Sequence, residues 1–264
     1  MSILPVKLEF DCRSDDTGRV GEVGKIAAPG THRIVGDVGK MERKNNYLIQ
    51  AGQAKERFLT YEQQRLIEKF RLESDAQYLY VNLLCKQYRI NRTTGDMERR
   101  ESSGWQDANS HEEVMTLLDL LCDSREDRWI SGRWKNMQSF GLQFHQNLLE
   151  DRRDPAADRF DAEPQRLREA CRRLNGEFIP GGDIGFSVEL FDGLRIGVLF
   201  WAGDEEFAPR LRYLWDENAL MYIRYETMYF AVNLLLRRLL EGSGTGAPEA
   251  PLCKGSSQKS LIFD

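Results

Sequence analysis

Histidine is scarce in this sequence, and cysteine is scattered. Only His32, His111 and His145 occur among 264 residues, and the five cysteines (Cys12, Cys85, Cys122, Cys171, Cys253) include no C-x-x-C pair. Zinc sites and iron–sulfur clusters rest on closely spaced ligands of these types. Neither is expected, and the sequence points to no cofactor. A G-x-S-x-G elbow is absent, and His111 with Glu112 and Glu113 lacks the second histidine of an H-E-x-x-H zinc motif. Unpaired cysteines in odd number read as free thiols. Cys122 and Cys171 fall in helical patterns, where a thiol is a small buried apolar group.

Excess positive charge is also missing. With 42 acidic against 37 basic residues the net charge is −5, which makes nucleic acid an unlikely partner and leaves an unknown small molecule or protein. Long hydrophobic runs are lacking too. The longest lies within "TMYFAVNLLL" and stops at Arg237 and Arg238, far short of the roughly 20 residues that span a bilayer. No secretory signal opens the chain. A cytoplasmic location without membrane contact is therefore expected, and Asn91-Arg92-Thr93 reads as a turn rather than a glycosylation site.

What is present is organised in three parts. Residues 1–40 are glycine-rich without a sustained period and read as a flexible leader, with Met41 as an alternative start whose removal of the leader leaves the core intact. "GEVGKI" lacks the Ser or Thr that follows Gly-Lys in a phosphate-binding loop. Residues 41–241 read as a single domain, and residues 242–264 have the composition of a flexible tail. In the domain, an amphipathic helix is expected from Met41. Another is expected after Thr60, with Gln63 completing a capping box and Leu66, Ile67 and Phe70 as the apolar stripe. Ser110 and Glu113 cap a third, which buries Val114, Leu117, Leu118 and Leu121. Pro164 and Gly176 bound a fourth. The last, about Tyr222 to Leu240, is the most apolar, and Tyr222, Tyr225 and Tyr229 share one of its faces.

Two hairpins separate the helices. In "IGFSVELFDGLRIGVLFW" a three-residue loop, Phe191-Asp192-Gly193, puts all eight alternating apolar residues on one face and Glu189 opposite Arg195 as a cross-strand ion pair. In "YLYVNLLCKQYRIN" a two-residue loop at Cys85-Lys86 pairs Leu83 with Tyr88 and Val81 with Ile90. Helices around antiparallel hairpins, without a strand–helix–strand rhythm, define an α+β fold.

The segments "YLIQAGQAKERFL", "YLYVNLLCKQYRINRTTG" and "GDIGFSVELFDGLRIGVLFWAGDEEFAP" resemble the domain-of-unknown-function family 3786 in order, over about residues 46–240. Trp201 followed by Gly203-Asp204-Glu205-Glu206-Phe207 is its strongest signature here. Relatives often place Pro after the Phe, where this chain has Ala208 and then Pro209. The resemblance implies no established activity. Some relatives carry an appended iron–sulfur module, which this chain lacks the cysteines to match.

The densest chemistry is the run Asp204, Glu205, Glu206. Clustered carboxylates bind hard cations, and crowding raises a carboxyl pKa toward that of a general acid. Consecutive residues of a loop do not converge, so such a site needs Asp183, Glu189 or Asp216, near Trp201. The plainer reading is a turn in which Gly203 bends the chain, Asp204 accepts backbone N–H bonds, Trp201 and Phe207 are buried, and the acids face solvent or pair with Arg210 and Arg212. Three functions follow. A non-catalytic binding or accessory module comes first, because no catalytic set assembles. An enzyme using the three carboxylates, with or without a metal, is the alternative. Nucleic-acid binding would need Arg210, Arg212 and Arg224 on one exposed face.

Overall fold

The structure is a computed structural model that describes residues 34–140 and 155–241. Residues 1–42 form a unit apart from residues 43–264, and the description below concerns the second. The expected leader up to residue 33, the expected tail, His32, His145, Cys12 and Cys253 lie outside the described residues.

Among the described residues, six helices and ten strands make an α+β fold. Helix α1 (Ile34–Thr60) is already formed at the first described residue, ahead of the expected start at Met41. It runs through Thr60, whose hydroxyl donates to the Arg57 carbonyl at 2.7 Å. Thr60 therefore closes one helix instead of capping the next. Helix α2 (Gln63–Phe70) has Glu62 at its N-cap, and the Gln63 amide is spent on Arg92. Helix α3 (His111–Asp123) opens on the expected capping box. Ser110 Oγ accepts from the Glu113 N–H and donates to the Glu113 carboxylate at 2.7 Å. Val114, Leu117, Leu118 and Leu121 are fully buried. Helices α4 (Pro155–Ala162) and α5 (Pro164–Arg173) follow, the second with Pro164 in its first turn. Helix α6 (Tyr225–Leu240) packs on α3 and α5. Tyr222 is buried before it, and Tyr225 and Tyr229 pack against the core with their hydroxyls 2.9 Å apart.

The first sheet is the meander β1 (Glu73–Ser74), β2 (Tyr78–Leu83), β3 (Lys86–Asn91), β4 (Met97–Glu101) and β5 (Gly104–Asp107). Alternation buries Leu79, Val81, Leu83, Tyr88, Ile90 and Met97 and leaves Tyr78, Tyr80, Asn82, Gln87 and Arg89 on the other face. Asn91 accepts from the Thr93 and Thr94 N–H groups, the expected turn. The second sheet runs in the order β6 (Trp134–Asn136), β10 (Arg210–Asp216), β9 (Leu194–Trp201), β8 (Ile184–Phe191), β7 (Glu177–Phe178), all antiparallel.

Glu189 stands opposite Arg195 as expected, and all eight alternating apolar residues are buried. The odd residue is not in the loop, however. Phe191 pairs with Leu194, Asp192 and Gly193 form a two-residue turn with φ of 49° and 82°, and the register shift lies between Glu189 and Phe191. Two positive φ values mark a type I′ turn, and the strand takes up the extra residue as a bulge. The Arg195 guanidinium turns away to Ser187 and Glu177 instead of Glu189.

The β2–β3 hairpin differs from expectation by two residues. Leu83 pairs with Lys86 and Val81 with Tyr88, so the turn is Leu84-Cys85, with φ of 46° and 58°. Left-handed backbone costs an L-residue about 1–2 kcal/mol. The turn survives because it joins the two sheets. Leu84 is buried and its N–H donates to the Leu190 carbonyl at 3.1 Å, while Cys85 Sγ donates to the Leu174 carbonyl at 3.2 Å. Burying a leucine contributes about 1.5–3 kcal/mol, which offsets most of the strain of two left-handed residues, and the hydrogen bonds to Leu190 and Leu174 add to it.

Candidate functional site

The acidic run lies on one exposed turn after β9. Asp204 Oδ1 accepts from the Glu206 and Phe207 N–H groups at 2.9 and 2.7 Å, and the Asp204 N–H donates to the Phe207 carbonyl at 2.9 Å. Those donors hold the Asp204 carboxyl below the usual carboxylate range, Phe207 foremost. That direction is opposite to the one a general acid needs. Two further acids pin the turn from outside: Asp183 accepts from the Ala202 N–H at 2.8 Å, and Asp161 from the Gly203 N–H at 2.9 Å. Gly203 serves close approach rather than a left-handed bend, since a Cβ there would meet Pro209 Cδ at 2.9 Å.

Phe207 is not the expected anchor. It is 69% exposed, and Trp201 is only half-buried, with the Arg212 guanidinium 5.5 Å from its ring centroid. The backbone bonds to Asp204, Asp183 and Asp161 close this loop without help from an aromatic plug. Phe207→Ala should therefore change stability by less than about 1 kcal/mol, and Glu205→Gln with Glu206→Gln by less still, because exposed carboxylates contribute little. A urea titration in which Phe207→Ala lost several kcal/mol would show that the ring buries itself in solution.

The supporting residues do not gather round this turn. Asp183 is beside it. Glu189 and Asp216 sit toward the other end of the β8–β9–β10 ladder, where Glu189 caps the Gly193 N–H at 3.1 Å. Asp216 is buried and gathers the Ser131, Gly132 and Asn218 N–H groups and the Ser131 hydroxyl. Among the described residues no group of three or more His, Cys, Asp or Glu side chains is placed to hold a metal ion. Nor do the three arginines share a face: Arg212 lies on Trp201, and Arg224 pairs with Asp123 at 2.7 Å.

Two buried charge networks were not evident from sequence. In one, Glu113 is met by the Tyr88 hydroxyl at 2.9 Å, by Arg99 and by Arg238, which also pairs with Glu241 at 2.9 Å. Burial, with Glu113 beside it, pushes the Tyr88 phenol up to about 12. In the other, Asp119 takes Arg57 and the Thr227 hydroxyl, and Asp123 takes Arg57 and Arg224. Burial and the neighbouring Asp119 push the Asp123 carboxyl up against the pull of both arginines. Cys122 next to it is pushed up to about 12 by burial, which makes it an inert thiol. These groups answer one another across α1, α3, β3, β4 and α6.

Concave space lies elsewhere. A cleft of about 340 Å³ is framed by the end of α2, the open face of β1–β3 and the tip of β8–β9. Phe70, Leu72 and Phe191 supply its apolar surface, the two phenyl centroids 4.9 Å apart. Arg128 stacks 4.6 Å from the Phe70 centroid and pairs with Asp192 at 2.6 Å, which ties the hairpin tip to α2. Tyr80, Asn82 and Gln87 project from the sheet, and Arg71, Glu73 and Glu189 complete the lining. A second hollow, about 20 Å³ between α4, α5 and the end of α6, has room for about one water. One local signal pointed to the cleft: Arg71 follows a helix at the left-handed position usually given to Gly or Asn, with φ 52° and ψ 46°.

Fold and site together define an α+β domain of two antiparallel sheets bound by one core, with a mixed polar and aromatic cleft at the seam. Residues 63–238 match the family model described as Domain of unknown function (DUF3786), and the chain belongs to that family. No curated protein and no solved structure matches it. No helix among the described residues is long and apolar enough to cross a membrane.

Proposed function

We propose that this protein is a non-catalytic binding module whose ligand is a small molecule held in the cleft between α2, β1–β3 and the β8–β9 tip. The carrying observation is the contrast between the cleft and every other charged cluster. The acids of the 204–207 turn are splayed in solvent or occupied by backbone, and those of the two networks are answered by arginines. Among the described residues, the cleft joins ligand-sized volume, apolar surface and polar groups that form no hydrogen bond or ion pair there. Its residues include no base–nucleophile pair, which favours binding over covalent chemistry.

The test is a panel of sugars, nucleotides, carboxylic acids and amino acids, scored by melting temperature and by the amide resonances of the labelled protein. A ligand at 100 times its Kd adds about 2.7 kcal/mol to stability, a readily measured shift. Resonances of Leu72, Asn82 and Gln87 should move with any compound that raises the melting temperature. Movement confined to Asp204–Phe207 would place the site on the acidic turn and overturn this reading.

A further inference from the structure

The cleft contains charges of both signs that do not pair with each other. Arg71 and Glu73 are exposed on its rim, and among the described residues neither forms an ion pair. Glu189 Oε1 accepts from the Gly193 N–H at 3.1 Å, while Arg195, opposite it in the ladder, is bound to Ser187 and Glu177. Asp192, the fourth charged residue, is neutralised by Arg128. The side-chain amides of Asn82 and Gln87 face each other across β2–β3 and make no hydrogen bond among the described residues. Tyr80 gives its hydroxyl to Asp75 at 2.7 Å and offers the cleft its ring.

Opposite charges sharing one concavity gain Coulomb energy by closing on each other. Here none of them meets another among the described residues: Arg71 ends α2 without an ion pair, and Glu189 is bound to the hairpin turn. The strained conformation at Arg71 would be relieved by glycine. We propose that the cleft recognises a small zwitterion of amino-acid or dipeptide size. Its carboxylate lies against the Arg71 guanidinium, its ammonium against Glu189 and Glu73, and its remaining polar groups against Asn82 and Gln87. A phosphodiester chain fits poorly, because Glu73 and Glu189 would face its phosphates. An uncharged polyol would leave Arg71 and both glutamates unanswered. The inference rests on the reading of the cleft as the binding site and adds the chemistry of the ligand.

Isothermal titration of the full chain with the common L-amino acids and alanyl-alanine tests it, each parent run beside its N-acetyl and C-amide forms. At least one parent should bind, with both capped forms at least about tenfold weaker, since each removes one charge-assisted contact. Arg71→Gly should lose that binding while its melting temperature rises by about a degree or two, because glycine relieves the left-handed strain. Loss of binding would then not be a folding defect. Glu189→Gln keeps the oxygen that caps Gly193 and should weaken the parent but not its N-acetyl form. A capped form that binds as well as its parent, or a parent indifferent to Arg71→Gly, overturns the zwitterion. So does binding of only neutral or singly charged probes that move the Leu72, Asn82 and Gln87 resonances, although the cleft would then stand as the site. If no probe moves those resonances, the cleft and the zwitterion fall together.

Discussion

Glu113→Ala is expected to be among the most destabilising single changes in this protein, at about 3–5 kcal/mol. The carboxylate is 2% exposed and serves four donors: the Tyr88 hydroxyl, Arg99, Arg238 and the Ser110 hydroxyl. Its loss leaves the charge of Arg238, itself 1% exposed, facing Glu241 as its counter-ion among the described residues, with the neutral Tyr88 hydroxyl as a further acceptor. Arg238 Nε already lacks a partner, so the guanidinium has little latitude to find a new one. Tyr88→Phe removes a donor to Glu113 and the acceptor that takes Arg238 Nη2 at 2.6 Å, and should cost about 1–3 kcal/mol, because both groups keep their other partners. Urea denaturation measures both, and a loss under 1 kcal/mol for Glu113→Ala would mean that water enters the network. The same network gives a pH signature. The folded Tyr88 phenol is raised to about 12 from 10.0, so the folded state keeps a proton that the unfolded state has released. Its contribution is whole below pH 10 and should be lost as pH rises from about 10 to 12.

Asp216→Ala comes second, at about 2–4 kcal/mol. This side chain ends β10 and holds the Gly132 N–H at 2.7 Å, the Asn218 N–H at 2.9 Å and both donors of Ser131. The segment before β6 and the turn after β10 are thereby fastened to one buried carboxylate. Truncation orphans three backbone donors, whose partial access to water keeps the cost below that of Glu113. Asp216→Asn retains one acceptor oxygen and should fall about midway. Hydrogen exchange gives an independent check. The Ser131, Gly132 and Asn218 amides should exchange faster in Asp216→Ala, with β8 and β9 unchanged. Uniform acceleration would indicate global loosening instead of a local fastening.

Asp216 also illustrates what local sequence does not reveal. As one acid near three others it suggested help for a cation. Its partners at Ser131 and Gly132 are some 85 positions away, and no periodicity links them. Glu113 was legible only as the second half of a capping box. That role is real, yet its bonds to Tyr88, Arg99 and Arg238 come from β3, β4 and α6. For Phe207, an aromatic closing the acidic turn that begins at Gly203 suggested burial. Asp204, Asp183 and Asp161 instead bind the backbone of the loop, and the ring is left in solvent.

The hairpins separate the two kinds of information. Alternation determined which residues of β8 and β9 face the core, and with it the pairing of Glu189 with Arg195. In β2 and β3 alternation determined the buried face but not the register. A slide of two residues leaves every side chain on the same face, so the hydrophobic pattern cannot tell one register from the other. Tertiary structure chose between them by burying Leu84 and bonding its N–H to Leu190, which made a strained Leu84-Cys85 turn the better solution. By itself the sequence determined the α+β class, most of the helices, the core faces and the family signature. These rest on periodicity and capping over a few residues. The cleft was decided only by tertiary structure, because Glu189 and Phe191 lie far along the chain from Arg71 and Asn82 and meet them only when the two sheets share a core.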